Sequence, residues 1–179
     1  GFWVIDITDP AHPVEVSHYD TAGSACDLAV LGDYAYVADA DAGLLVVNIH
    51  NPDTPVEVGL FDTPGNAVSV VVAGNHAYVG DNYAGVEGYG LLVLDITDPA
   101  HPAEVGICDT VITPWALALS GDYAFVADAI YLRVVNITDP ANPVEVGFYD
   151  TPGDAYGVAI AGGYAYVADG ACVRGVNVS

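Results

Sequence analysis

Four copies of one phrase constrain this chain more tightly than any single residue does. It reads YAYVAD at 34–39, HAYVGD at 76–81, YAFVAD at 123–128 and YAYVAD at 164–169. A second phrase, opening on Pro-Val-Glu-Val or Pro-Ala-Glu-Val and closing on Asp-Thr, occupies 13–21, 55–63, 102–110 and 143–151. Measured on the first phrase, the copies lie 42, 47 and 41 residues apart. A period near forty made of short apolar segments predicts an array of one supersecondary unit, each copy leaning on its neighbours. The pattern runs through all 179 residues, so residues 1–179 read as a single repeat domain.

One copy shows what the unit is. Residues 67–72 are a short apolar strand that stops at Gly74-Asn75 and turns back into 77–81 as a hairpin. Residues 91–96 (LLVLDI) form a third strand. Asp98-Pro99 and His101-Pro102 then make a rigid turn, because proline fixes φ and cannot extend a ladder. Residues 104–108 are the fourth strand. Four antiparallel strands per forty-odd residues is the blade of a β-propeller, and the fold class is all-β. In YAYVAD the tyrosines point one way and Ala35 and Val37 the other, so both faces are apolar. That suits a sheet covered on both sides and argues against a sandwich with one wet face.

The third-strand phrase occurs five times, at 2–7, 44–49, 91–96, 132–137 and 172–178, whereas the others occur four times. Together the strings LLVVNI, LLVLDI and LRVVNI, each followed by a DP or NP turn and, in most copies, PVEVG, resemble LVIVD repeats. That family consists of predicted β-propellers in secreted and cell-surface proteins of bacteria and archaea. The resemblance covers essentially the whole chain and implies a scaffold and an extracellular or cell-surface location, but no reaction. Closing four repeats into a ring would make the first and last third strands compete for one place, leaving an unpaired edge. The expectation is therefore either a larger ring of six to eight blades, the chain being part of something longer, or donation of the spare strand to a neighbouring copy in a homo-oligomer.

Charge narrows the partners. Twenty-four acidic residues stand against Arg133 and Arg174, with no lysine, for a net charge of −22. Such a surface repels nucleic acids and anionic membranes, leaving a protein partner or self-association. It also repels itself unless salt, low pH or cations such as Ca2+ relieve it. The three cysteines, Cys26, Cys108 and Cys172, fall in different repeat columns and form no CxxC pair; Cys26, aligned with Val68, Trp115 and Tyr156, reads as a packed apolar thiol.

Candidate chemistry is sparse. Aspartates recur in columns (Asp39, Asp81, Asp128 and Asp169 among them), and aspartate in every unit points first to turns in which it bonds its own backbone two residues on. The best cation site is the run from Asp39 through Asp41 to Gly43, with the corresponding longer loop from Asp81 through Asn82 and Glu87 to Gly90. Alternating carboxylates there could wrap Ca2+, which wants six to eight oxygens. The five histidines lack HxH or HExxH spacing and no serine sits in GxSxG. Asn136 and Asn177 head sequons but share their column with Asp6 and Asp95, which favours a turn role. Inner-strand positions Asp27, Ser69 and Trp115 could line a channel, and with Glu87 are the ligand-binding candidates. The sequence thus favours a non-catalytic extracellular binding or assembly module. The alternatives are a filament or surface-layer subunit joined by strand donation and a hydrolase-type enzyme with its site in the channel.

Overall fold

The computed structural model describes residues 1–82, 90–109, 113–170 and 172–178, and these contain strands and turns but no helix. The first sheet pairs β1 (Phe2–Asp6) with β2 (Val14–Tyr19). Three four-stranded sheets follow. The first holds β3 (Asp27–Leu31), β4 (Tyr34–Ala38), β5 (Leu44–Asn48) and β6 (Val56–Phe61). The second holds β7 (Asn66–Ala73), β8 (His76–Asn82), β9 (Leu91–Asp95) and β10 (Ala103–Cys108). The third holds β11 (Pro114–Ser120), β12 (Tyr123–Asp128), β13 (Tyr131–Asn136) and β14 (Val144–Asp150). A last sheet holds β15 (Gly157–Ala161), β16 (Tyr164–Ala168) and β17 (Val173–Asn177). Each is an antiparallel meander in chain order, the expected propeller blade, and the array is open rather than closed into a ring.

Local chemistry sets these boundaries. The turns β3–β4, β7–β8 and β11–β12 each put a glycine in the left-handed region (Gly32, Gly74 and Gly121, φ 56–60°), as tight hairpins require. Between third and fourth strands the side chains of Asp6, Asn48, Asp95 and Asn136 accept from the N–H two residues on, at 2.8–2.9 Å. Asp9, Asn51, Asp98 and Asp139 do the same one turn later. His12 and His101 each hydrogen-bond the Asp three residues before them, which accounts for two of the five histidines. The ladder between third and fourth strands breaks register once in each of the four sheets that have both, at Val4/Ile5, Val46/Val47, Glu104/Gly106 and Val134/Val135. This recurrent bulge bends the outer strand, and nothing in the residue pattern announces it.

The core lies between sheets. Tyr36, Leu44 and Val46 of one blade pack on Val70, Val79 and Leu92 of the next. Tyr78, Leu91 and Val93 meet Leu117, Val126 and Val135 in the same way, and Phe125 and Leu132 meet Ala165 and Val167. At the first sheet, Phe2 covers Val37, Leu45 and Val47. The first strands β3, β7, β11 and β15 lie side by side in succession and line the hub. Cys26 corrects the expectation of a packed thiol: it is exposed, its Sγ donating to the Ser24 carbonyl, and Trp115 and Tyr156 of the same column are exposed as well.

A second contact locks neighbouring blades at their outer edge. The proline turn of each blade rests on the fourth strand of the one before it. Gly59 faces the Pro99 carbonyl and Ala100, Gly106 faces the Pro140 carbonyl and Pro143, and at the equivalent Ser17 the hydroxyl donates to the Pro52 carbonyl at 2.5 Å. A Cβ at Gly59 or Gly106 would collide with backbone oxygen. Gly59→Val and Gly106→Val are therefore expected to destabilise by about 1–3 kcal/mol each in urea unfolding, as overpacking does.

Candidate functional site

The most conspicuous polar groups lie in the column that follows the second strand. Asp39, Asp81, Asp128 and Asp169 are all buried, a costly place for a carboxylate without partners. Asp39 accepts from the Thr21 hydroxyl at 2.6 Å and the Gly23 N–H at 2.8 Å. Asp81 accepts from the Gly65 N–H at 2.9 Å. All three donors belong to the segments that lead into the same blades from their predecessors, so the carboxylates latch one blade's exit to the next blade's second strand.

In the last two sheets a guanidinium joins the latch. Arg133 Nε donates to Asp128 and its Nη1 to Glu145 at 2.7 Å, while its side chain lies over the Tyr131 ring at 4.8 Å. Arg174 Nε donates to Asp169 at 2.7 Å, and the Cys172 N–H caps the same carboxylate. Burial pushes the Asp128 pKa up and Arg133 offsets part of that; the arginine is itself held charged by Glu145 and Asp128. The role of these arginines is not evident from residue type. The available signal was their shared column, which holds Trp3, Leu45 and Leu92 in the other blades.

The inner-strand candidates are placed differently from one another. Asp27 spans two blades, its Oδ2 accepting from the Val70 N–H at 3.0 Å and its Oδ1 from Leu28 N–H. Ser69 is buried and its hydroxyl donates to the Pro114 carbonyl at 2.9 Å. Both therefore staple adjoining inner strands. Trp115 is exposed at the start of β11, its ring 6.1 Å from Tyr156 and tilted by 53°. Tyr156, which residue type alone did not single out, thus completes an aromatic pair on neighbouring blades and donates from its hydroxyl to Asp154 at 3.1 Å.

At the cation candidates, both Asp39 oxygens already accept protein hydrogen bonds, and Asp41 points to solvent. A Ca2+ ion at that loop would have to rely on Asp41 and backbone carbonyls. Asn82 ends β8 beside Asp81, and Glu87 lies outside the described residues. Among the described residues no three His, Cys, Asp or Glu side chains converge to hold a metal ion.

Two outcomes follow for the latch. Arg133→Leu, which restores the residue found in two other blades, leaves Asp128 buried and unpaired and should cost about 3–5 kcal/mol; adding Asp128→Asn should recover much of it in a double-mutant cycle. Asp81 has no arginine, and burial raises its pKa above 3.8 against the opposing Gly65 N–H. Its folded form holds a proton more tightly than the unfolded chain, so its contribution is largest below 3.8 and is lost as pH rises through the raised value. Asp9 and Asp98 act oppositely: His12 and His101 hold them below 3.8, and their contribution is lost below that pH. Melting temperature should therefore rise as pH is lowered from 7, then turn over in acid, and Asp81→Asn should flatten the rise.

Comparison with known proteins follows the same lines. The LVIVD repeat family matches residues 1–21, 22–63, 64–110, 114–151 and 152–172. Among solved structures, the computationally designed Ika8 protein superposes with TM-score 0.69 at 16% identity, over 93% of this chain and 50% of Ika8. The computationally designed Ika4 protein does so with TM-score 0.67 at 14% identity, over 91% of this chain and 96% of Ika4. This chain thus spans half the length of the first and nearly all of the second, and at such identity the likeness shows the fold alone. No protein of curated function matches. With five matched segments covering nearly every residue, the chain belongs to the LVIVD-repeat family.

Proposed function

We propose that this chain is a non-catalytic, extracellular propeller module that binds a basic protein partner at the cell surface. The fate of the two arginines carries this reading. Both are engaged by internal aspartates, so the exposed carboxylates have no lysine or arginine set among them. A field of one sign attracts a cationic protein surface and turns away anionic ones. The Trp115–Tyr156 pair supplies what charge alone lacks, two exposed rings that can stack on an arginine or lysine stem. The family's occurrence in secreted and surface proteins supports the location. Asp27 and Ser69, the polar groups an enzyme in the hub would use, are tied to neighbouring strands instead.

The test is binding of an arginine-rich peptide followed by tryptophan fluorescence, with polyglutamate as control. Affinity should fall steeply with salt, and Trp115→Ala should weaken it about tenfold, the range of a well-placed cation–π contact. Unchanged affinity in Trp115→Ala would remove the aromatic pair from the site. Turnover of an ester or glycoside that Asp27→Asn abolishes would replace this reading with the hydrolase alternative.

A further inference from the structure

We propose that two copies of this chain join head to tail, the β1–β2 hairpin of each copy completing the β15–β16 sheet of the other. This surface is separate from Trp115 and goes beyond the basic-partner reading. It is argued from the contact that the molecule repeats internally. In every internal junction an aromatic ring of one blade's second strand covers the first strand of the next: Tyr36 on Val70, Tyr78 on Leu117, Phe125 beside Val158. All three rings are buried. The corresponding ring on the last sheet, Tyr166, is 44% exposed. The corresponding first-strand residue at the other end, Leu28, is also 44% exposed, where Val70 and Leu117 are buried. One end of the array therefore carries the ring without its seat, and the other carries the seat without its ring.

The outer lock tells the same story. Three proline turns rest on the fourth strand of the preceding blade, at Ser17, Gly59 and Gly106. On β14 the equivalent Gly147 faces nothing within 4 Å, and Val146 and Phe148 on either side of it are exposed. The turn from Asp9 to Pro13 is the matching key: exposed, held rigid by Asp9, and resting on no preceding blade. When Leu28 of one copy sits under Tyr166 of the other, β1 and β2 fall in the third and fourth places of the shared sheet and this turn falls over Gly147. Only one third strand fits there. β1 keeps its place, because Phe2 is packed on Val37 and Leu45, and β17, whose Val173 is 70% exposed, gives way, releasing Asp169 from Arg174 and the Cys172 N–H. Each copy brings one seat and one ring, so a head-to-tail pair of copies satisfies both.

The experiment is light scattering coupled to size-exclusion of the purified protein, at 0.15 and 1 M NaCl. The expected particle has twice the 18.4 kDa of one chain, and salt should strengthen it by screening the −22 charge of each copy. Leu28→Glu, Tyr166→Glu and Gly147→Val should each give monomers that still unfold cooperatively, since all three sites are open in the single chain. Mixing Leu28→Glu with Tyr166→Glu should restore two-chain particles, because one unaltered junction reforms; a symmetric face-to-face contact would not be rescued this way. A monomer at every concentration and salt overturns the proposal, whether the faces stay bare or further repeats of a longer polypeptide cover them. So does a dimer that Gly147→Val and Tyr166→Glu leave intact.

Discussion

Each sheet in this protein is apolar on both faces, and that governs everything else about it. A four-stranded sheet with tyrosine and leucine on one side and alanine and valine on the other cannot be stable in water with either side bare. The solution is serial: one blade's large residues fill against the next blade's small ones, giving separate cores between sheets rather than one core in the middle. Cohesion is consequently a nearest-neighbour property, and the first and last sheets differ in exposure from the inner ones although their residues are nearly the same.

The acidic character of the chain acquires a second meaning from the same geometry. Four carboxylates are drawn inside as latches between a blade and the segment entering it, using hydroxyl and backbone donors in the first two blades and arginine in the last two. Engaging both arginines on buried aspartates leaves the outer acids unbalanced. In the proposed function the charge that keeps so apolar a chain dispersed also attracts the partner, and the aspartates drawn inside are those of a single repeat column.

Much of this was legible from residues alone, for physical reasons. Hairpin glycines, prolines and period-two alternation act locally, so strands and turns came out close to their observed bounds, as did the turn role of Asp6, Asp95 and Asn136. The bulge opposite Val46/Val47 was not legible, because it answers to the bending of a whole sheet. Nor was the exposure of Cys26, whose column also leaves Trp115 and Tyr156 exposed. Ser69 and Asp27 looked like channel-lining groups, but their hydrogen bonds run to residues about forty-five positions away, and such pairings have no signature in spacing.

The unit, its period, its strand order, its turn chemistry and its family are all written in the residues, since each follows from side chains acting on their own backbone or on an identical neighbour. Which aspartates are buried, which partners neutralise them, and which of five near-equivalent sheets keep a bare face came from the fold. Those outcomes depend on what lies across the gap between sheets. Equal residues in equal columns have unequal surroundings once the array has two ends.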